Sequence, residues 1–384
     1  MSLSIRRRLR VLCIVPSLRH GGAEMQVVNL ANALDDKAFE THLLYYDEGE
    51  ALRDRVDLAK VRLHSFRKKA TIDFRLASAV ARLIDEHEID VVHCTLQYSL
   101  LVAWMARLIA RNKPKLICAI HTTVNLNGYH ELADRTLYRW LLRRCAAVVF
   151  VCESQRAHWV RKYPELAPIG HVVFNGVDTA FFDTAAATGV ATTRAKLDVP
   201  ADASVVSCIA RFRPEKAHDL LVRAFAQASR DVRDSYLLLA GDGPTRDAVE
   251  RLVAELGLQA RVKFLGPVKD VRSLLAASDV TVLSSTAVET FSMAMLESMA
   301  MGVPLVATDM GGTREAVVEG ETGLIVAPND VDALARGLVR ILADDALRAS
   351  LGRNARALVE KRFTQDLMVR ETAGIVEEAA NAPG

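Results

Sequence analysis

Glu289 and Glu297 stand with seven residues between them, Thr290-Phe291-Ser292-Met293-Ala294-Met295-Leu296, and Ala300-Met301-Gly302-Val303-Pro304 follows. A β-rich run, Val280-Thr281-Val282-Leu283-Ser284-Ser285, comes just before. Strand, loop acid and helix acid in that order are how an open α/β sheet presents a ligand at the carboxyl ends of its strands. A helix starting near Ser292 sets its first free N–H groups between the acids, where a phosphate can be held. Glu297 then lies about five residues into the helix, roughly 7–8 Å along its axis. A ligand with hydroxyls at both ends and phosphate in the middle fits, and a nucleotide-sugar is such a ligand. The same two carboxylates, taken alone, also suit the acid and nucleophile of a glycoside hydrolase, which need to face each other at about 5–10 Å.

Charge elsewhere in the chain separates these readings. Ser207-Cys208-Ile209-Ala210-Arg211-Phe212-Arg213-Pro214-Glu215-Lys216 puts Arg211 at a strand end and Lys216 near a helix start. Two fixed cations there can neutralise a diphosphate, whereas a neutral glycan gives them no work. Ala240-Gly241-Asp242-Gly243-Pro244 and Gly311-Gly312-Thr313-Arg314-Glu315 lie at other strand ends, where glycine admits close backbone approach. Taken alone, each is more simply read as a plain βα turn. Arg19-His20-Gly21-Gly22-Ala23-Glu24 follows the first strand; it is not G-x-G-x-x-G, but Gly21 and Gly22 can offer backbone donors to an anion. His121 ends the run Leu116-Ile117-Cys118-Ala119-Ile120, placed to touch a sugar hydroxyl or move a proton, although a structural histidine is the commoner case. The other histidines show no metal-ligand spacing, so no metal site is expected.

The elements that position these groups follow from length and periodicity. A chain of 384 residues implies two domains, and 51% hydrophobic with 25% charged residues is ordinary for a globular protein. A net charge of +2 gives no argument for nucleic acid. Six scattered cysteines without C-x-x-C read as buried free thiols of a reducing cytoplasm. Arg6-Arg7-Arg8-Leu9-Arg10 before Val11–Val15 mimics a signal peptide, but the apolar part is short and runs into Pro16, so a first buried strand is expected. The run from Leu100 to Ala110 is too short to span a bilayer, which leaves any membrane role peripheral.

Strands are expected at 10–15, 41–46, 90–94, 115–120 and 147–152, with helices at 23–34, 75–87, 97–111 and 133–144 between them. After Asn175-Gly176-Val177-Asp178 and an Ala/Thr-rich connector over 179–195, the pattern restarts. Strands follow at 204–209, 236–240, 262–265, 280–283, 304–307 and 324–326. Helices follow at 217–229, 244–256, 271–276, 292–301, 313–318 and 331–342. The fold class is α/β, two Rossmann-like doubly wound parallel-sheet domains in tandem facing a cleft. The expected division is 1–180, 181–362 and a terminal helix within 363–384. Two basic segments stand apart: Arg53, Arg55, Lys60, Arg62, Arg67, Lys68 and Lys69, and the amphipathic Arg135–Arg144, which suits either an anionic membrane or a solvated helix face.

The ordered set of motifs resembles the retaining glycosyltransferases of family 4, with the GT-B fold, over nearly the whole chain. Its sharpest part is Glu289 to Glu297 with Gly302-Val303-Pro304; Gly21–Glu24, Asn175–Asp178, Arg211 with Lys216, Gly241–Gly243 and Gly311-Gly312 fall in the family's order. The resemblance implies that Arg211 and Lys216 bind the donor diphosphate, and that Glu289 lies near the donor sugar. It places the Phe291–Met293 backbone at phosphate or sugar and Glu297 on the ribose hydroxyls. It also implies that His121 faces the donor sugar, that Gly21 and Gly22 lie near the phosphates, and that the last helix crosses back to the first domain. The family needs no metal and no cofactor beyond the nucleoside diphosphate sugar. Two departures stand out. The family's Gly-Phe-Gly is Thr290-Phe291-Ser292 here, where side chains narrow the pocket and add hydroxyls, and its Lys-Gly is Lys216-Ala217, a mild change at a helix start.

The implied activity is retaining, metal-independent transfer of a sugar from a UDP- or GDP-sugar to a glycan or lipid-linked acceptor, in cell-envelope or exopolysaccharide synthesis. Glu289, His121, Arg211 and Lys216 are the candidate catalytic residues. Gly21, Gly22, Gly241, Thr290, Phe291, Ser292, Met293 and Glu297 are the candidate donor-binding residues, shared with Arg211 and Lys216. A cytoplasmic protein with a possible hold on the inner membrane face through Arg135–Arg144 is expected. A sugar-nucleotide epimerase of the same fold class and a non-catalytic nucleotide-sugar-binding protein are the alternatives.

Overall fold

The computed structural model describes residues 7–70, 72–123, 128–183 and 190–382. Arg6 and residues 184–189 of the expected connector lie outside the described residues. The chain divides into two compact units, residues 1–175 with 365–384, and residues 176–364. Sequence placed the divisions a few residues away, at 180 and 362.

Unit 1 contains β1 (Leu9–Val15), β2 (Phe39–Tyr45), β3 (Val61–Ser65), β4 (Val91–Thr95), β5 (Lys115–Ile120), β6 (Ala147–Phe150) and β7 (Gly170–Val172). Its helices are α1 (Gly22–Ala33), α2 (Phe74–Glu86), α3 (Gln97–Ile109), α4 (Gly128–Ala133), α5 (Arg139–Leu142) and α6 (Glu153–Lys162). The strands form one parallel sheet in the order β3-β2-β1-β4-β5-β6-β7. Central strands such as β1 and β5 are almost continuous apolar runs because helices cover both faces. One face packs Leu12, Ile14, Val92, Cys118 and Phe150 against α2 and α3. The other packs Val11, Cys13, Leu43 and Ile117 with α1 and the terminal helix described below. α2 is started by Asp73, whose carboxylate accepts the Arg75 N–H, leaving its pKa well below the usual range mainly through the Arg75 side chain.

Unit 2 contains α7 (Val190–Lys196), β8 (Ser204–Ile209), α8 (His218–Asp231), β9 (Ser235–Ala240), α9 (Arg246–Glu255), β10 (Val262–Gly266), α10 (Arg272–Ala276) and β11 (Val280–Leu283). It continues with α11 (Met293–Ala300), β12 (Leu305–Thr308), α12 (Thr313–Ala316), β13 (Gly323–Val326), α13 (Val331–Leu342) and α14 (Asp345–Arg362). The parallel order is β10-β9-β8-β11-β12-β13. Its core joins Val206, Cys208, Leu237, Val280 and Val306 to apolar positions of α8, α9 and α13. The last helix, α15 (Gln365–Asn381), belongs to unit 1, where Met368, Val369, Ile375, Val376 and Ala379 complete the α1 face.

The expected strands are all present, and two more were missed. β3 and β7 are the edge strands of unit 1 and read Val-Arg-Leu-His-Ser and Gly-His-Val. Edge strands carry charge and need only one apolar face, so they lack the signal of central ones. The basic segment 53–69 therefore contains a strand, and Arg53, Arg62, Arg67 and Lys68 pair with Glu50, Glu40, Glu48 and Asp47. The single helix expected at 133–144 is a π-helical segment, Asp134–Tyr138, running into α5. α7 occupies part of the expected connector. All six cysteines are buried. Among the described residues no helix is long and apolar enough to cross a membrane.

Candidate functional site

Each sheet has a point where the strand order reverses, between β8 and β11 in unit 2 and between β1 and β4 in unit 1. Loops leaving the carboxyl ends of two such strands diverge to opposite faces and open a crevice. In unit 2 those loops carry Arg211 to Lys216 and Ser284 to Ser292, so the sequence candidates meet at the reversal.

The crevice is held by backbone contacts between neighbouring loops. Thr286 donates its N–H to the Glu215 carbonyl at 2.9 Å, and Ser284 Oγ donates to the Lys216 carbonyl at 2.8 Å. Lys216 ends a 3-10 turn, Pro214–Lys216, and its ammonium donates to Glu289 Oε2 at 2.6 Å. Ser285 Oγ donates to the same oxygen at 2.9 Å. The pair is mostly withdrawn from solvent, with side chains 24% and 10% exposed, so its attraction is less screened than that of a surface pair. Sequence assigned Lys216 to the diphosphate and Glu289 to the sugar; the structure joins them directly, with Ser285 as a partner the sequence did not flag. Arg211 is exposed beyond β8, and its guanidinium makes no ion pair among the described residues.

α11 begins at Met293 with Ser292 as its N-cap, as the spacing requires. Ser292 Oγ accepts the Met295 N–H at 3.4 Å. That oxygen accepts the cap bond, and its proton remains to be donated to a neighbouring group. Thr290 and Phe291 are buried, and the Phe291 ring packs at 5.4 Å from Phe363. What Phe291 and Met293 leave at the surface is the start of the helix. Glu297, half-buried, sits one turn further along α11.

Gly241 and Gly311 press these loops from behind. Gly241 has φ +139°, and a Cβ there would overlap the Ala210 carbonyl next to Arg211. Gly311 has φ +54°, and a Cβ would overlap the Glu289 carbonyl, while Gly312 donates its N–H to the Thr290 carbonyl at 2.7 Å. Both motifs are more than βα turns: they fix the backbone that carries Arg211 and Glu289. Ala217, after Lys216, has φ +46° and ψ 50°. The change from glycine at this position is therefore not mild, since an L-residue there is strained.

The unit 1 crevice is of another kind. Gly21 is the N-cap of α1 with an extended φ of −160°, and Gly22 is its first residue. The loop before them is tied by the Leu18 N–H to the Gly49 carbonyl at 2.9 Å. On the β4 side Leu96 has φ 69° and ψ 159°, a conformation that is nearly glycine's alone, and nothing in the sequence signalled it. His121, after β5, lines a small cavity of about 40 Å³ with His93, Thr95, Gln26, Asn175 and Thr372. Burial pushes the His121 pKa down to about 4, helped by His93, and burial likewise pushes His93 down to about 4. Both rings are thus neutral near pH 7. His93 Nδ1 and Thr95 Oγ1 have no hydrogen-bond partner among the described residues, so the cavity presents polar atoms to whatever fills it.

Two parallel-sheet units, each reversing its strand order at a loop crevice, are the architecture of GT-B glycosyltransferases, and comparison with known proteins bears this out. The family model for glycosyl transferases group 1 matches residues 190–358, and that for Glycosyltransferase Family 4 matches residues 20–181. The lipopolysaccharide core biosynthesis glycosyltransferase LpsE of Rhizobium meliloti is 30% identical over 352 residues, covering 91% of this chain and 93% of that protein. A GDP-mannose-dependent monoacylated alpha-(1-6)-phosphatidylinositol monomannoside mannosyltransferase of Corynebacterium glutamicum is 30% identical over 78% of this chain and 80% of its own length. The crystal structure of Anabaena Alr3699/HepE in complex with UDP and glucose superposes with a TM-score of 0.85 at 25% identity, covering 96% of this chain and all of that one. The chain belongs to the group 1 glycosyltransferases of family 4.

Proposed function

We propose that the protein is a retaining, metal-independent hexosyltransferase that takes a sugar from a nucleoside diphosphate and passes it to a glycan or lipid-linked acceptor of the cell envelope or an exopolysaccharide. The observation that carries this reading is the crevice of unit 2, where the loop of Arg211 and Lys216 meets the loop of Glu289 that leads into α11. A departing diphosphate develops negative charge, and preorganised cations and helix N–H groups lower the barrier to its departure. Lys216 already rests on Glu289, so donor binding divides its ammonium between carboxylate and phosphate. Glu289 then holds both the lysine and a sugar hydroxyl. Glu297, about one turn along α11, takes the ribose end. The leaving phosphate oxygen accepts the proton of the acceptor hydroxyl as the new bond forms, so no separate base is required. In unit 1, His121, neutral at physiological pH, is suited to hydrogen-bonding a sugar hydroxyl, and Gly21 and Gly22 at the start of α1 are suited to an anion. Gly241 acts as backing for the Arg211 loop.

The relatives divide on the nucleotide: one named protein uses GDP-mannose and the Anabaena protein holds UDP. The donor is thus a GDP- or UDP-sugar. The acceptor reading rests on the lipopolysaccharide relative and on Arg135–Arg144. Two arginines of that segment are paired, Arg135 with Glu131 at 3.0 Å and Arg139 with Glu165 at 2.6 Å. Arg143 and Arg144 remain beside the exposed Trp140 and Leu137, a mixture suited to an anionic interface at the inner face of the membrane. Removing those two charges should weaken binding to anionic liposomes; unchanged binding counts against the membrane reading.

A thermal-shift panel of UDP-, GDP- and ADP-sugars identifies the donor, since a bound ligand raises apparent stability. Arg211→Ala should abolish transfer in a folded protein, and near-normal turnover would sink the diphosphate assignment. The anomeric configuration of the product, read by NMR, tests retention. Conversion of the nucleotide-sugar without any acceptor would favour an epimerase, and binding without turnover on any acceptor a non-catalytic role.

A further inference from the structure

We propose that His42, His64 and His87 form a binding site for a divalent transition-metal ion of the zinc class, which fastens the edge strand β3 and the end of α2 to β2. The three side chains come from three elements. Parallel register sets His42 beside Arg62 and Leu44 beside His64, so the two histidines are diagonal neighbours on one face of the sheet. α2 covers that face, and His87 is its C-cap. One ring nitrogen from each residue lies within 4.8 Å of the others.

The local chemistry fits a nitrogen-ligated ion. His42 Nδ1 and His64 Nε2 are 3.1 Å apart. Two nitrogens bound at about 2.0–2.1 Å to one tetrahedral ion stand about 3.3 Å from each other. The half-exposed His87 ring closes the set by turning inward. His42 is buried, and its other nitrogen, Nε2, has no hydrogen-bond partner but lies 3.5 Å from Glu40 Oε1. A carboxylate behind the far nitrogen of a ligand histidine is the usual way such a ring is oriented and made more basic.

The charges around the cluster are mixed. Glu40 and Glu86 favour a cation, and Arg62 opposes it. The Arg62 guanidinium pairs with Glu40 at 3.1 Å and lies 3.5 Å from His87 Nδ1; its side chain is 56% exposed and free to swing outward. The cluster lies away from the crevice of unit 1, which opens at the carboxyl ends of β1 and β4: His87 ends α2 just before β4 begins, at the opposite edge of the sheet, so the ion would take no part in glycosyl transfer.

The test is titration of untagged, chelator-stripped full-length protein with zinc chloride by calorimetry, and with cobalt(II) chloride by visible absorption. The expected result is one ion per chain with the ligand-field bands of a nitrogen-bound cobalt ion, and a zinc-dependent rise in melting temperature. His64→Ala and His87→Ala, both at half-exposed positions, should each weaken affinity at least about 10-fold and abolish the thermal rise. Arg62→Ala should bind at least as tightly as the parent. No uptake by the parent, or uptake unchanged in both histidine variants, overturns the site and leaves a hydrogen-bonded histidine cluster. Glycosyl transfer should be unaffected by the metal in every case.

Discussion

The two units share a topology and differ in what their crevices contain. In unit 2 the loops after β8 and β11 bring a lysine, a glutamate, a serine and an exposed arginine to one place, and two glycines brace the backbone beneath. In unit 1 the corresponding region is a small cavity with two histidines kept neutral by burial and a strained leucine at the strand end. A fixed-charge crevice is preorganised for an anion whose charge grows during reaction. A neutral, buried one can only orient hydroxyls and exclude water. The shared fold thus supplies the crevice twice, and the side chains divide the labour.

The sharpest test of that division is Lys216→Met. It should lower transfer by about 10²- to 10³-fold, the usual effect of removing one preorganised charge-stabilising donor. It should also cost about 1–3 kcal/mol of stability by leaving Glu289 with Ser285 alone, discounted for partial exposure. Initial rates and denaturant melts separate the two effects; a variant with full activity would erase the contrast between the crevices.

Acid should act on the other side. His93 and His121 in unit 1 have folded pKa values near 4 because of burial, and His218 in unit 2 does too. The unfolded value is about 6.5, so between these limits the unfolded chain binds more protons. The stabilisation is complete above about pH 6.5 and is lost as pH falls toward about 4, on the order of 2–3 kcal/mol per histidine. Unit 1, with two such rings in one cavity, should lose hydrogen-exchange protection first on acidification. Earlier loss in unit 2 would contradict this.

Gly311→Ala and Gly241→Ala should each destabilise unit 2 by about 2 kcal/mol or more, because the added methyl meets a backbone carbonyl and the backbone conformation suits glycine. Both should reduce transfer in proportion to how far Glu289 or Arg211 is displaced. Retention of normal melting in either variant would show that the loop has slack. The smallest expected effect is opposite in sign. Ala217→Gly relieves a left-handed residue and should leave stability unchanged or raise it by up to about 1 kcal/mol, with the lost burial of one methyl as offset.

Much of this was legible in the sequence. The central strands were visible because burial on both faces makes them largely apolar and β-branched runs, and Glu289, Ser292 and Glu297 were correctly spaced for loop, cap and helix. β3 and β7 were not, because an edge strand carries charged and small residues that read as loop. The Lys216–Glu289 contact was hidden because it joins positions on either side of a strand crossover, and spacing along the chain does not report distance across a sheet. The strain at Leu96 and Ala217 and the gathering of His42, His64 and His87 leave no local signature, being products of register and packing.

The placement of α15 bears on how the molecule is made. The chain leaves unit 1 after Asn175 and re-enters it at Gln365, and near these passages Val177 donates its N–H to the Phe363 carbonyl at 2.9 Å and bridges Thr364. Unit 1 is thus begun first and finished last. While the ribosome synthesises unit 2, the apolar face of α1 and the neighbouring strands waits for Met368, Val369, Ile375 and Val376. Nascent chains arrested so that residues up to Thr364 have just cleared the ribosome should therefore present a protease-sensitive, chaperone-binding first unit beside a compact second one, and emergence of the seventeen residues of α15 should close it. Protection of the first unit already at that arrest point would show that α15 is dispensable for its closure.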